Sequence, residues 1–208
     1  MKGKLIKINP DNPQENKIRE VAEILSKGGV VIYPTDTVYG IGCDIFNKKA
    51  VERICKIKNM NPAKSHFSFI CHDLSHIADY AKIPDQVYKV MKKALPGPFT
   101  FILNANKTVP KVLNPKKSTV GIRVPDNNIP RMLVKELGNP IITTSIRDED
   151  DILEYSTDPE LIYEKFKDTV DAVIDGGYGN NMASTVVDCT NEEFEVVREG
   201  LGNLEQYI

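Results

Sequence analysis

The sequence predicts a mixed α/β domain. Three observations carry that expectation. Short runs of β-branched and aromatic residues recur along the chain, amphipathic stretches of helical period separate many of them, and glycine, proline or asparagine punctuates the joins. A chain of 208 residues fits one core better than two, so residues 1–208 are expected to form a single domain.

The elements follow in order. Leu5–Ile8 alternates like a short strand, and Asn9-Pro10-Asp11-Asn12-Pro13 makes the turn into a helix whose Ile18, Val21, Ala22 and Leu25 share one face. Gly28-Gly29 ends that helix, because glycine takes a left-handed cap without a Cβ penalty. Val30–Tyr33 reads as a buried strand closed by Pro34, giving a βαβ-like opening. A second helix fits Lys48–Lys58, with Ala50, Val51, Ile54, Cys55 and Ile57 as its apolar stripe. Phe67–Cys71 is the next strand, and Asp73 would cap a helix holding Leu74, Ile77, Ala78 and Ala81. Pro84–Leu95 reads as helix, Phe99–Leu103 and Thr119–Val124 as strands, and Ile129–Leu137 as helix. Strands are expected at Ile141–Thr144, Ala172–Ile174, Ser184–Asp188 and Glu195–Arg198. Asp158-Pro159-Glu160 opens one more helix, with a cap, a first-turn proline and an acid at the positive dipole end. The acidic stretch Arg147–Ser156 reads as a loop, either plain surface or a lid.

Composition excludes several classes. With 41% hydrophobic and 27% charged residues the chain is neither disordered nor fibrous. No apolar run approaches the ~20 residues of a membrane span, and no signal-peptide core is present, so a cytoplasmic protein without a membrane partner is expected. Cys43, Cys55, Cys71 and Cys189 are irregularly spaced, with no CxxC pair, and read as small core residues in a reducing compartment. His72 and His76 stand four apart, but no further ligands join them, so no metal site is assigned. The net charge of −2 conceals a segregation: residues 1–125 carry 21 Lys plus Arg against 10 Asp plus Glu, and residues 126–208 carry 6 against 19. The first part can attract phosphates, or its charges are scattered over solvated faces.

One segment singles itself out. Tyr33-Pro34-Thr35-Asp36-Thr37-Val38-Tyr39-Gly40-Ile41-Gly42 reads as a strand breaking into a tight turn with two hydroxyls and two glycines. Such a turn can present Thr35 and Thr37 to a ligand, or be only a well-made turn. Three further segments follow it: Leu95-Pro96-Gly97-Pro98-Phe99-Thr100, then Thr119-Val120-Gly121-Ile122-Arg123-Val124-Pro125, then Ser184-Thr185-Val186-Val187-Asp188 closing on Val197-Arg198-Glu199-Gly200. Together, in this order, the four resemble the YrdC/YciO family, which includes threonylcarbamoyl-AMP synthases, and the resemblance runs from about Lys4 to Gly202.

That resemblance implies an open twisted mixed sheet with surrounding helices and a deep basic cavity. It also implies a nucleotidyltransferase reaction, in which L-threonine and bicarbonate form a carbamate that ATP adenylates. Threonylcarbamoyl-AMP and pyrophosphate are the products, and the first serves modification of tRNA adenosine. Mg²⁺ would accompany ATP, with no dedicated protein ligands assigned. Carried over by motif, Thr35 and Thr37 would contact threonine, Arg123 would hold its carboxylate, and Ser184 would complete that site. Lys58, Lys64, Thr119 and Arg198 would face the nucleotide, Ser145 would stand between the two ligands, and Lys58, Ser145 and Arg147 would form the catalytic set.

The chain departs from the synthase pattern at two places. The usual Lys-x-Arg reads Lys58-Asn59-Met60, and the usual Ser-x-Asn reads Ser145-Ile146-Arg147. Methionine has no donor for a phosphate, while arginine puts a bulky cation in place of a neutral amide. Asn61–His66 also lacks the usual Lys-Pro-Leu, and these features are similar to the YciO branch. Two alternatives remain open: a tRNA or double-stranded RNA binding module using Lys48, Lys49, Arg53, Lys56, Lys58 and Lys64, and a nucleotide-binding relative without synthase chemistry.

Overall fold

A computed structural model describes residues 2–61, 67–109, 118–146, 156–191 and 193–208. Its strands are β1 (Lys4–Lys7), β2 (Val31–Tyr33), β3 (Gly40–Asp44), β4 (Ser68–Ile70), β5 (Ala81–Lys82), β6 (Phe99–Ala105), β7 (Thr119–Arg123), β8 (Ile141–Ser145), β9 (Ala172–Asp175), β10 (Thr185–Asp188) and β11 (Glu195–Arg198). Its helices are α1 (Glu15–Ser26), α2 (Lys48–Ile57), α3 (Asp85–Ala94), α4 (Asn128–Leu137) and α5 (Pro159–Phe166). All strands join one mixed sheet in the order β1-β9-β2-β3-β8-β4-β7-β6-β10-β11, with β5 beside β6.

The two faces of this sheet differ. One is covered by α2, α3 and α5, whose Ile54, Met91, Val87, Ile162 and Phe166 pack on Ile41, Phe69, Phe101, Ile122 and Val173. On the other, α1 and α4 cover only one side, setting Ile18, Val21, Leu25, Leu133 and Val134 against Ile6, Val31, Tyr33, Ile70, Ile141 and Ile174. Further along that second face the residues become small and polar. Register places Thr143 of β8 opposite Ser68 of β4, and Ser68 beside Gly121 of β7. Removing apolar bulk from a sheet face that no described helix covers leaves space for a ligand above it.

Most expected elements are present within a residue or two. The opening βαβ unit exists, but β9 lies between β1 and β2 and pairs parallel with both. Two readings are corrected. Residues 73–81 do not form a capped helix: Asp73 accepts the N–H of Ser75, a 3₁₀ turn covers Ile77–Asp79, and Ala81 enters β5 opposite Ala105. Gly40 and Gly42 are not turn residues but part of β3, which pairs antiparallel with β2. They are small for a packing reason, because a Cβ on Gly42 would stand 2.9 Å from the Tyr33 hydroxyl and one on Gly40 3.2 Å from its ring.

Candidate functional site

The site is built on that small, polar strip. Tyr33 lies across Gly40 and Gly42, fully buried, and its hydroxyl donates to Thr143 Oγ1 at 2.7 Å. Gly121 keeps the next strand flat, since a Cβ there would come within 2.8 Å of Ser68 Oγ and 3.2 Å of a Thr100 methyl.

Arg123, the last residue of β7, rises from one end of the strip. Its Nη2 donates to Thr37 Oγ1 at 2.9 Å and to Asp36 Oδ1 at 3.2 Å. The β2–β3 turn that supplies both acceptors is closed by its own threonine. Thr35 Oγ1 donates to Val38 O at 2.8 Å and accepts the Thr37 N–H at 3.1 Å. Thr35 and Thr37 hydroxyls also bond each other at 3.1 Å. A hydroxyl has one hydrogen; Thr35 spends its own on Val38, so Thr37 donates to Thr35 and accepts from Arg123. Thr37 is 0% exposed. The structure therefore makes it a brace for Arg123.

Electrostatics at this point are unusual. The Arg123 side chain is 11% exposed, and its Nε is buried without an acceptor. Burial pulls the Arg123 pKa below its ordinary value; the Asp36 carboxylate opposes this and the Arg198 guanidinium reinforces it. Asp36 is pushed the other way, upward, by burial, against the pull of Arg123 and of the Asp126 N–H. The two arginines thus share one electrostatic environment, and a buried N–H without an acceptor costs about 1–3 kcal/mol.

Arg198 stands on β11 and donates through Nη2 to Ser184 O at 2.9 Å and to Ser184 Oγ at 3.3 Å. Ser184 is buried, and its hydroxyl bonds Thr100 Oγ1 at 2.8 Å. The structure therefore groups Arg198 with Ser184 and, through Thr100, with the Arg123 end of the strip.

Lys58 and Thr119 belong to the opposite end. Thr119 precedes Arg123 by four residues on the same face of β7, roughly 13 Å along the strand. Ser145 stands two residues beyond Thr143 on β8, at the level Thr119 occupies on β7. Lys58 Nζ donates to Ile146 O at 2.8 Å, which ties it to the end of β8. The backbone aims it there. Asn59 N–H bonds Lys56 O and Met60 N–H bonds Cys55 O, with Asn59 at φ 50°, so α2 ends in a left-handed cap. Lys64 and Arg147 lie outside the described residues, as does nearly all of the acidic loop.

Sequence reasoning missed Asp36, Tyr33, Thr100 and Thr143. Asp36 carried a signal: an acid inside an otherwise apolar and hydroxyl segment is buried only when paired. It also borders a cavity of about 500 Å³ shared with Thr35, Thr157, Tyr178, Gly179, Asn180 and Asn181.

Other candidates resolve into structure. Arg53 forks onto Thr169 O and the Asp171 carboxylate, and Lys48 lies 3.9 Å from Glu52, so part of the basic run offered for RNA is engaged within the chain. His72 Nδ1 faces Arg131 O and no helix joins it to His76. The four cysteines are free and buried, and burial pushes the Cys71 and Cys189 thiols up to about 12. No described helix is long and apolar enough to cross a membrane.

The fold and the ordered polar strip define a member of a known class. Residues 23–200 match the Sua5/YciO/YrdC family, described as telomere recombination, and the chain belongs to that family. YciO of Escherichia coli (strain K12) is 41% identical over 202 residues, 97% of each chain. A candidate threonylcarbamoyl-AMP synthase of Methanocaldococcus jannaschii is 34% identical over 206 residues, 97% of this chain and 95% of that one. Among solved structures, E. coli YciO superposes with a TM-score of 0.91 at 39% identity, covering 99% of this chain and 100% of that one. P. abyssi Sua5 complexed with L-threonine superposes with a TM-score of 0.88 at 29% identity, covering 97% of this chain and 59% of that one.

Proposed function

We propose that this protein is a threonylcarbamoyl-AMP synthase-type nucleotidyltransferase, binding L-threonine at the Arg123 end of the strip and ATP at the Lys58 end. The observation that carries this reading is Arg123: a buried guanidinium braced by Thr37 and paired with Asp36, whose Nε has no acceptor and which lies in the field of Arg198, is suited to hold a ligand carboxylate. The P. abyssi Sua5 structure with L-threonine supports assigning the amino acid to this fold. In the proposed sequence the threonine amine attacks bicarbonate, losing water, and a carbamate oxygen attacks the α-phosphorus while pyrophosphate leaves. Lys58, Ser145 and Thr119 supply the N–H and O–H donors that a triphosphate and its transferred centre require.

Among the described residues no group of three or more His, Cys, Asp or Glu is placed to hold a metal. Mg²⁺ would then come with the triphosphate, where it would offset phosphate charge.

Met60 and Arg147 set the expected rate. Losing one well-placed cationic donor costs roughly 10²-fold, so threonine-dependent turnover is expected to be slow. The test is pyrophosphate release from ATP, bicarbonate and Mg²⁺, with and without threonine, in the protein and in a Met60→Arg, Arg147→Asn double variant. Threonine-dependent release in both, faster in the variant by up to ~10²-fold, is expected. Response in the variant alone would mean that the native chemistry lies elsewhere. Silence in both would sink the reading and bring RNA binding forward.

A further inference from the structure

Among the described residues Asp36 is the one carboxylate that touches Arg123, and the β2–β3 turn does not need it. Thr35 already closes that turn through Val38 O and the Thr37 N–H. The Asp36 side chain reaches outward instead: Oδ1 accepts Arg123 Nη2 at 3.2 Å, and Oδ2 accepts the Asp126 N–H at 3.1 Å, three residues further along the chain from Arg123. It clamps the arginine head and the backbone that carries it.

We propose that Asp36 is a positioning residue that fixes the Arg123 guanidinium for an incoming amino-acid carboxylate. The inference rests on the reading that Arg123 receives that carboxylate. Nη2 has two hydrogens, and Asp36 and Thr37 take both. The hydrogens these two acceptors do not take are those of Nη1 and of Nε, and Nε is buried without a partner. Without the second acceptor, the guanidinium could turn about its last torsions, and a ligand would have to order it on binding. An acid serving only to neutralise Arg123 would need no second anchor on Asp126. The upward push that burial exerts on Asp36 agrees, since a buried carboxylate opposes stability unless a partner holds it.

The test uses Asp36→Asn, which keeps the shape, and Asp36→Glu, which keeps the charge but displaces it by one methylene. The first readout is the Arg123 Nε–H signal in ¹⁵N spectra of the ligand-free protein, assigned through Arg123→Lys. A single, slowly exchanging signal is expected, becoming broadened or fast-exchanging in Asp36→Asn. The second is steady-state pyrophosphate release. The KM for threonine is expected to rise ~10–100-fold in Asp36→Asn, and less in Asp36→Glu, with the KM for ATP unchanged. A purely structural role would move both constants together. If the wild type shows no threonine-dependent turnover, the functional reading fails while the Arg123 signal still decides the positioning role. An unchanged Arg123 signal in both variants overturns the proposal.

Discussion

The two arginines of the site belong to different physical regimes. Arg123 sits on β7, inside the sheet, 9% exposed, and pairs with the Asp36 carboxyl group. Arg198 sits on β11, an edge strand exposed along its whole length, and its Nη2 donates to the carbonyl and hydroxyl of Ser184. Among the described residues β11 pairs only with β10, and the register slips between Val186 and Val187. A charge in the low-dielectric interior interacts strongly and must be compensated, whereas one at the rim is screened and adjustable. Under the proposed function this is a division of labour: Arg123 is fixed before the ligand arrives, and Arg198 can follow it.

The largest effect expected follows from that contrast. Arg123→Met leaves the Asp36 carboxylate buried without a cation, which should destabilise the fold by about 3–5 kcal/mol and abolish threonine-dependent turnover. Arg198→Met changes a side chain on an exposed edge strand. Its denaturant midpoint should correspond to a change within about 0.5 kcal/mol, while turnover falls ~10-fold or more. Equal loss of stability in the two variants, measured by urea unfolding, would remove the distinction between them.

Legibility in the sequence divides along similar lines. Arg123, Thr37 and Ser184 were visible because each lies in a motif whose order along the chain is distinctive. Their partners were not, because each bond crosses the sheet: Asp36 meets the Asp126 N–H 90 residues away, and Thr100 meets Ser184 84 residues away. Local pattern also misread β3, whose glycines answer to the Tyr33 ring rather than to a turn. The helical spacing of Leu74, Ile77, Ala78 and Ala81 after Asp73 suggested a helix, yet pairing of Ala81 with Ala105 outweighs the local preference.

A smaller effect probes the arm that carries Arg198. Ser184→Ala strips the Thr100 hydroxyl of its side-chain partner in a buried place, so the single substitution should cost about 1–3 kcal/mol. Thr100→Val with Ser184→Ala removes both hydroxyls, and most of that loss should return, because two missing groups leave no orphan. Arg198 keeps the Ser184 carbonyl in either case, so turnover is expected to fall only several-fold. A double variant as unstable as the single would show that Ser184 acts through packing, and the comparison between the arginines would lose its second term.

The smallest effect belongs to the opposite end of the strip and separates it from both arginines. Asn59 holds φ 50° at the end of α2, a conformation that glycine adopts freely and alanine does not. Asn59→Gly should leave stability within about 0.5 kcal/mol, and Asn59→Ala should cost about 1 kcal/mol. What matters is where the kinetic change falls. The cap aims Lys58 at the Ile146 carbonyl, beside Ser145, so loosening it should raise the KM for ATP by a few-fold and leave the KM for threonine alone. Asp36→Asn is expected to do the reverse, and crossing the two substitutions should give additive effects, because no described bond links the cap to the Asp36 clamp. Non-additive constants would mean that the strip works as one unit, with the amino-acid and nucleotide ends coupled through the Thr143–Ser68–Gly121 floor.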